Sequence, residues 1–196
     1  MRPTPPALIL ASTSPYRREL LKRLQLPFEV ASPQVDETPL SGEAPRALAR
    51  RLARAKAEAV AALNPAAIVI GSDQVAELDG TPVGKPGTAE RARAQLAQAS
   101  GRTVSFHTAV AIARPGGAPL EHTDLTRVRF RALSAATIAS YVDLDQPLDC
   151  AGSFRSEGLG VTLFEAIESL DPTALVGLPL VWVAGALRSA GLDPLG

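Results

Sequence analysis

The 196-residue chain has one cysteine, Cys150, and only two histidines, His107 and His122. One thiol cannot close an internal disulfide, and three such ligands cannot complete the usual four of a structural zinc site. No Cys-His signature surrounds Cys150, so its expected role is that of a small buried residue rather than a nucleophile. Charge of either sign in excess is also lacking. Twenty Lys and Arg face twenty Asp and Glu, for a formal net charge of +0, so the molecule as a whole has no field that would draw nucleic acid or membrane, and any anion binding must be local. No apolar run approaches the roughly twenty residues of a membrane span. The start, Arg2 followed by Pro3, Pro5 and Pro6, lacks the apolar core of a signal peptide. Neither a Walker loop nor a G-x-G-x-x-G turn occurs, which removes support for P-loop transfer and dinucleotide binding. We expect a soluble, cytoplasmic chain forming one domain over residues 1–196, long enough to bury a core, without a nucleic-acid or membrane partner.

What the chain does have is concentrated near its start. Leu8-Ile9-Leu10-Ala11 reads as a buried strand, broken by Ser12-Thr13-Ser14. Ser14 is placed to cap a helix that begins at Pro15 and carries Leu20, Leu21 and Leu24 on one face. A strand, a tight polar loop and a helix N-terminus together make an anion site. Arg17 in the first turn opposes the helix dipole, which suggests an anion that holds it there.

Further on, Pro27 to Ala31 reads as a short strand, Ser32 to Glu43 as a polar loop with Asp36-Glu37, and Ala44 to Leu63 as a long helix. Ala67 to Ile70 is the most apolar strand, expected to end at Gly71-Ser72-Asp73-Gln74. Val75 to Leu78 and Thr81 to Val83 flank an Asp79-Gly80 hairpin turn. Thr88 should cap a helix to Ala99. Val104 to Ala113 and Leu120 to Arg131 alternate as an antiparallel hairpin about Pro115-Gly116-Gly117. Ser134 should cap a helix to Leu144, Cys150 to Gly160 is glycine-rich, Val161 to Ala166 should be a strand, and Leu180 to Ala190 a closing helix. Parallel βα units followed by an antiparallel patch imply an α/β fold with a mixed, twisted sheet and flanking helices.

The polar residues that punctuate this pattern share a chemistry. Asp73, after an apolar strand, is expected at the strand end where open α/β sheets bind ligands. With Glu37 it could hold a divalent metal or activate water, while Arg17, Lys56 and Lys85 could neutralise phosphates.

The segments LILASTSPYRRELL, the VDE of Val35 to Glu37, LARAKAEA, VIGSDQV, GKP and CAGSFRSEGLG occur in the order and spacing of the Maf-like nucleotide pyrophosphatases, which the chain resembles from Leu8 to Leu187. The resemblance implies an elongated, two-lobed architecture like that of the inosine triphosphatases, with a central cleft. It implies hydrolysis of a nucleoside triphosphate to a monophosphate and pyrophosphate with a divalent metal, Mg or Mn. Transferred by position, Ser12, Arg17, Lys56 and Lys85 would meet phosphates. Glu37 and Asp73 would be the metal and water-activating carboxylates, with Asp73 the proton acceptor. Besides its nucleotide, the expected partner is at most a second copy of the chain.

Three positions depart from the commoner pattern of that family: Tyr16, Gln74 and Glu157. They match the branch that prefers 7-methyl-GTP, so all three are expected to contact substrate. An aromatic face attracts the positively charged methylated ring, and a carboxylate can accept two N–H donors from a guanine edge. The same reaction on dTTP or UTP, and a non-catalytic nucleotide-binding regulator of septum formation, are the alternatives.

Overall fold

The structure, a computed structural model, describes residues 6–196; most of the proline-rich start lies outside the described residues. In chain order the elements are β1 (Leu8–Ala11), α1 (Pro15–Lys22), β2 (Glu29–Ala31), α2 (Pro45–Leu63), β3 (Ile68–Leu78), β4 (Thr81–Val83), α3 (Ala89–Ala99), β5 (Thr103–Arg114), β6 (Gly117–Phe130), α4 (Ala135–Asp145), β7 (Phe164–Glu168) and α5 (Leu180–Ser189). The strands form one sheet in the order β2-β1-β3-β5-β6-β7, with β4 pairing β3. β1 runs parallel to β2 and β3; the β3–β4, β3–β5, β5–β6 and β6–β7 pairings are antiparallel. The fold is therefore α/β with a mixed sheet, and among the described residues no helix is long and apolar enough to cross a membrane.

Local chemistry sets most boundaries. The hydroxyls of Ser14, Thr88 and Ser134 accept hydrogen bonds from the backbone N–H groups of Arg17, Arg91 and Thr137 and so cap α1, α3 and α4, the role expected of such residues before an apolar helical run. Asp79 and Gly80 both take positive φ, as a two-residue hairpin turn requires. The segment expected as a strand at Val161 begins instead as a 3-10 turn, Leu159–Leu163, and the strand follows it. There the Gly160 Cα meets the Arg155 backbone so closely that any Cβ would overlap it, and the chain must turn before it can extend.

The larger departure concerns β3. It does not end at Ile70 but continues through Ser72, Asp73 and Gln74 to Leu78. Polar residues persist in mid-strand because each has a partner: β5 pairs with β3 continuously from Val69 to Glu77, and the side chains find acceptors described below. β3 therefore contributes to four hydrophobic clusters, two of them large. One gathers Leu10, Leu21, Ile70, Ile112 and Leu187. The other gathers Leu96, Phe106, Phe130, Val142, Phe154 and Phe164, with Phe154 packed edge-on against the other three phenylalanines at centroid distances of 4.7–5.6 Å. These are the two expected lobes. Opposite β5, the edge of β3 is covered by β1 up to Gly71 and by β4 from Ala76. Among the described residues, Ser72 to Val75 has no strand on that side.

α2 closes over the sheet with an alanine face, Ala49, Ala53 and Ala57, all buried. A Cβ on Gly71 would overlap the Ala53 carbonyl oxygen and lie 2.5 Å from the Ala57 nitrogen, so only glycine lets helix and strand approach this closely. Gly71→Ala should therefore push α2 outward and cost about 1–3 kcal/mol by overpacking, read as a lower urea midpoint at unchanged m-value.

Candidate active site

The gap in the edge of β3 opens into a cleft of about 710 Å³. All nine residues singled out from the sequence line it: Ser12, Tyr16, Arg17, Glu37, Lys56, Asp73, Gln74, Lys85 and Glu157. They arrive from six separate segments, so the fold performs the convergence.

The β1–α1 turn forms one wall. Ser12 is buried, and its hydroxyl accepts a hydrogen bond from the Ser14 N–H at 3.1 Å, which tightens the turn and leaves the hydroxyl proton free to donate. α1 has no acid in its first turn, so its N-terminal dipole has no anion of its own. Arg17 donates Nε–H to the Gly177 carbonyl at 2.9 Å, which aligns the guanidinium and leaves its terminal NH₂ groups available. Burial lowers its pKa, with Asp73 and Glu37 acting in the opposite sense; an arginine remains charged through such a shift.

The floor is an ion triad. Lys56 is buried on α2, and its Nζ lies 2.7 Å from Asp73 Oδ1 and 2.7 Å from Glu37 Oε1. The sequence offered Lys56 as a phosphate cation; its immediate role is to hold two carboxylates together. The placement of Asp73 also needs correction. It is buried in the middle of β3, paired with Ala109, rather than standing at a strand end. Burial raises its pKa from the ordinary aspartate value, and the charges of Lys56 and Arg17 oppose the rise.

Gln74 is held from its nitrogen end. Nε2 lies 2.9 Å from Thr108 Oγ1 and 3.0 Å from both the Ala174 and Leu175 carbonyls. Acceptor-only carbonyls fix the amide orientation, so its oxygen is the atom left for a ligand. Lys85 and Glu157 are exposed at the rim, and Glu157 accepts from the Ser156 hydroxyl at 2.7 Å.

Other contributors carried no local signal. Ser72 donates to the Ala109 or Gly177 carbonyl, at 2.8 and 3.0 Å, and fastens the 174–177 segment to β3. Asp171 accepts from the N–H groups of Thr173 and Val181 at 2.9 and 2.8 Å, and so supports that segment from its other side. Arg155, within the glycine-rich stretch, donates through Nη2 to the backbone carbonyls of Asp145 and Gln146. Its N–H donates to Tyr141 Oη at 3.1 Å. Cys150 lies 3.7 Å from Tyr16 Oη, and burial pushes its thiol up to about 12, so it is no nucleophile at neutral pH.

Residues 7–190 match the Maf-like protein family. The chain belongs to that family. Among its relatives is a 7-methyl-GTP pyrophosphatase of Xanthomonas oryzae pv. oryzae, 62% identical over 186 residues, covering 95% of this chain and 97% of that one. A protein of the same name from Polaromonas sp. is 58% identical over 193 residues, covering 98% and 88%. The fold also matches a HAM1 protein structure from Coxiella burnetii, with TM-score 0.53 at 18% identity, covering 94% of this chain and 100% of that chain. The expectation of a Maf-like chain with that architecture is met.

The raised pKa of Asp73 has a signed consequence for stability. Between the unfolded and folded pKa values the folded state binds the extra proton, so the contribution of this group falls as pH rises through that window. In metal-free protein, Asp73→Asn should thus gain stability relative to wild type between acid and neutral pH, as compared by urea unfolding at several pH values.

Proposed function

We propose that this Maf-family protein hydrolyses a nucleoside triphosphate, preferably 7-methyl-GTP, to the monophosphate and pyrophosphate. The observation that carries this reading is the Lys56–Asp73–Glu37 triad, with Lys56 and Asp73 buried and Glu37 reaching in from the exposed loop, beside Arg17 and beneath a rim bearing Tyr16 and Glu157. The names of its relatives support the same substrate.

In this reading the triphosphate lies across the β1–α1 turn, with Ser12 and Arg17 donating to its oxygens and Lys85 reaching in from the rim. Asp73, made more basic by burial, accepts a proton from water as the water oxygen adds to the α-phosphorus. The bond to the bridging oxygen breaks, and pyrophosphate leaves against the cationic side chains. Lys56 keeps both carboxylates in place and balances their charge. Such positioned base catalysis supplies typically about 10²–10⁴-fold.

A divalent ion suits the donors present. Among the described residues no group of three His, Cys, Asp or Glu forms a metal cluster, but Mg²⁺ is commonly held by one or two carboxylates together with substrate phosphates. Glu37 and Asp73 would provide the carboxylates. Bound there, the ion would neutralise phosphate charge and favour ionisation of water.

At the base, Tyr16 would stack on the ring and Glu157 would accept the paired N–H donors of guanine. Thymine and uracil would present a carbonyl to that carboxylate instead. Pyrophosphate release should rank 7-methyl-GTP over GTP, and either over UTP and dTTP, by about ten- to a hundredfold for a bidentate contact. Equal rates on UTP or dTTP would remove the base assignment. Asp73→Asn should lower turnover about 10²–10⁴-fold while nucleotide binding, followed by calorimetry, survives; turnover within about tenfold of wild type would take the base role from Asp73.

A further inference from the structure

The base end of the cleft carries a charge that the reading above leaves unexplained. Asp149 lines the cleft, is exposed, and makes no ion pair among the described residues. Its Oδ1 is 3.5 Å from Cys150 Sγ, which in turn is 3.7 Å from Tyr16 Oη. The Cys150 thiol therefore links the carboxylate to the polar tip of the aromatic ring, and the carboxylate acts on Tyr16 through space. Two charged side chains act on Tyr16: Asp149 and Arg155. Arg155 is tied back to the end of α4, where it meets the carbonyls of Asp145 and Gln146 and has the Asp145 carboxylate 3.9 Å from Nε. Its charge is met at close range by Asp145, whereas Asp149 feels Arg155 only at a distance and makes no ion pair among the described residues. Glu157, on the same segment, has a hydroxyl partner but no cation among the described residues. Across the cleft, the charges acting on Arg17 are Asp73 and Glu37, and those two carboxylates already share Lys56. One end of the cleft offers an aromatic face with two carboxylates that make no ion pair among the described residues, and at the other end the carboxylates are paired with cations.

We propose that this cleft selects a fixed positive charge on the base rather than the N7-methyl group as such, with Asp149 as the charge-sensing residue. The proposal rests on the nucleotide pyrophosphatase reading and widens its substrate class. Alkylation at N7 of guanine, N1 of adenine or N3 of cytosine produces a cationic ring. A cationic ring is held by the face of Tyr16 and by the field of Asp149, irrespective of where the methyl group sits. Each of these bases also keeps an exocyclic amino group for Glu157 to accept from. The protein would then remove triphosphates of alkylation-damaged bases as a class.

The test separates charge from shape. 7-Methyl-GTP is compared with 7-methyl-7-deaza-GTP, which has the methyl group without the charge, and 1-methyl-ATP and 3-methyl-CTP are compared with ATP and CTP. Mildly acidic buffer keeps the N1 proton, and so the full charge, on 7-methylguanine. Each cationic substrate should exceed its neutral counterpart in kcat/KM by about tenfold or more, the scale of a desolvated cation–aromatic contact reinforced by a nearby carboxylate. In Asp149→Asn these ratios should shrink together, and in Asp149→Glu they should be largely retained; a ratio within one variant is insensitive to any loss of folded protein. Equal hydrolysis of 7-methyl-GTP and its deaza analogue, no gain for 1-methyl-ATP and 3-methyl-CTP, or unchanged ratios in Asp149→Asn would each overturn the charge proposal. A preference for 7-methyl-GTP over GTP that survived such a result would leave the parent reading standing; absence of pyrophosphate release from every nucleotide would remove both.

Discussion

The distance between α2 and β3 governs the rest of the molecule. Because residue 71 has no side chain, the Ala53–Ala57 turn of the helix rests directly on the strand. That contact places Lys56 within hydrogen-bond distance of Asp73, two residues beyond the glycine. A buried ammonium and a buried carboxylate are each costly alone and tolerable as a pair. Glu37 then joins from a loop that Arg51 of the same helix also holds, donating through Nη2 to the Thr38 carbonyl at 3.0 Å. A backbone contact thus decides where two carboxylates converge.

The opposite wall follows a different rule. Segment 174–177 presents three carbonyl oxygens, those of Ala174, Leu175 and Gly177, to side chains on β1–α1, β3 and β5. Main-chain carbonyls have fixed positions and cannot donate, so they orient whatever meets them: Arg17 through Nε, Gln74 through its nitrogen, Thr108 through its hydroxyl. Asp171 and Thr173 hold the segment itself by closing the N-terminus of α5, with Thr173 accepting from the Leu180 N–H at 2.8 Å. Buried polar groups in such an arrangement fix geometry because leaving any one unpaired would cost about 1–3 kcal/mol.

The glycine-rich segment 150–160 is anchored between these two systems. Phe154 buries its ring in the second core, and the adjacent Arg155 reaches the end of α4. Asp149, Cys150 and Glu157 are thereby left on the cleft side. The same few residues provide both anchorage and rim, so the lobe that packs the phenylalanines also sets the character of the base end.

Local chemistry determined the parts of this protein that depend on neighbours in the chain. The caps at Ser14, Thr88 and Ser134, the turn at Asp79-Gly80, the β5–β6 hairpin and the order of strands and helices were legible because each is a contest between nearby backbone and side-chain groups. The nine cleft residues were legible as short motifs in sequence, Ser12 to Arg17 by the anion-binding geometry they encode and Glu157 by resemblance. What only the tertiary structure decided is what those residues touch. Ser72-Asp73-Gln74 looked like the end of a strand because polar residues in mid-strand are costly unless paired, and their partners lie on β5, on α2 and about a hundred residues away in the 174–177 segment. Likewise Asp149 gave no signal of its own, since its neighbour Tyr16 comes from the other end of the chain. Hydrogen bonds and charges act through space, and the fold alone sets those distances.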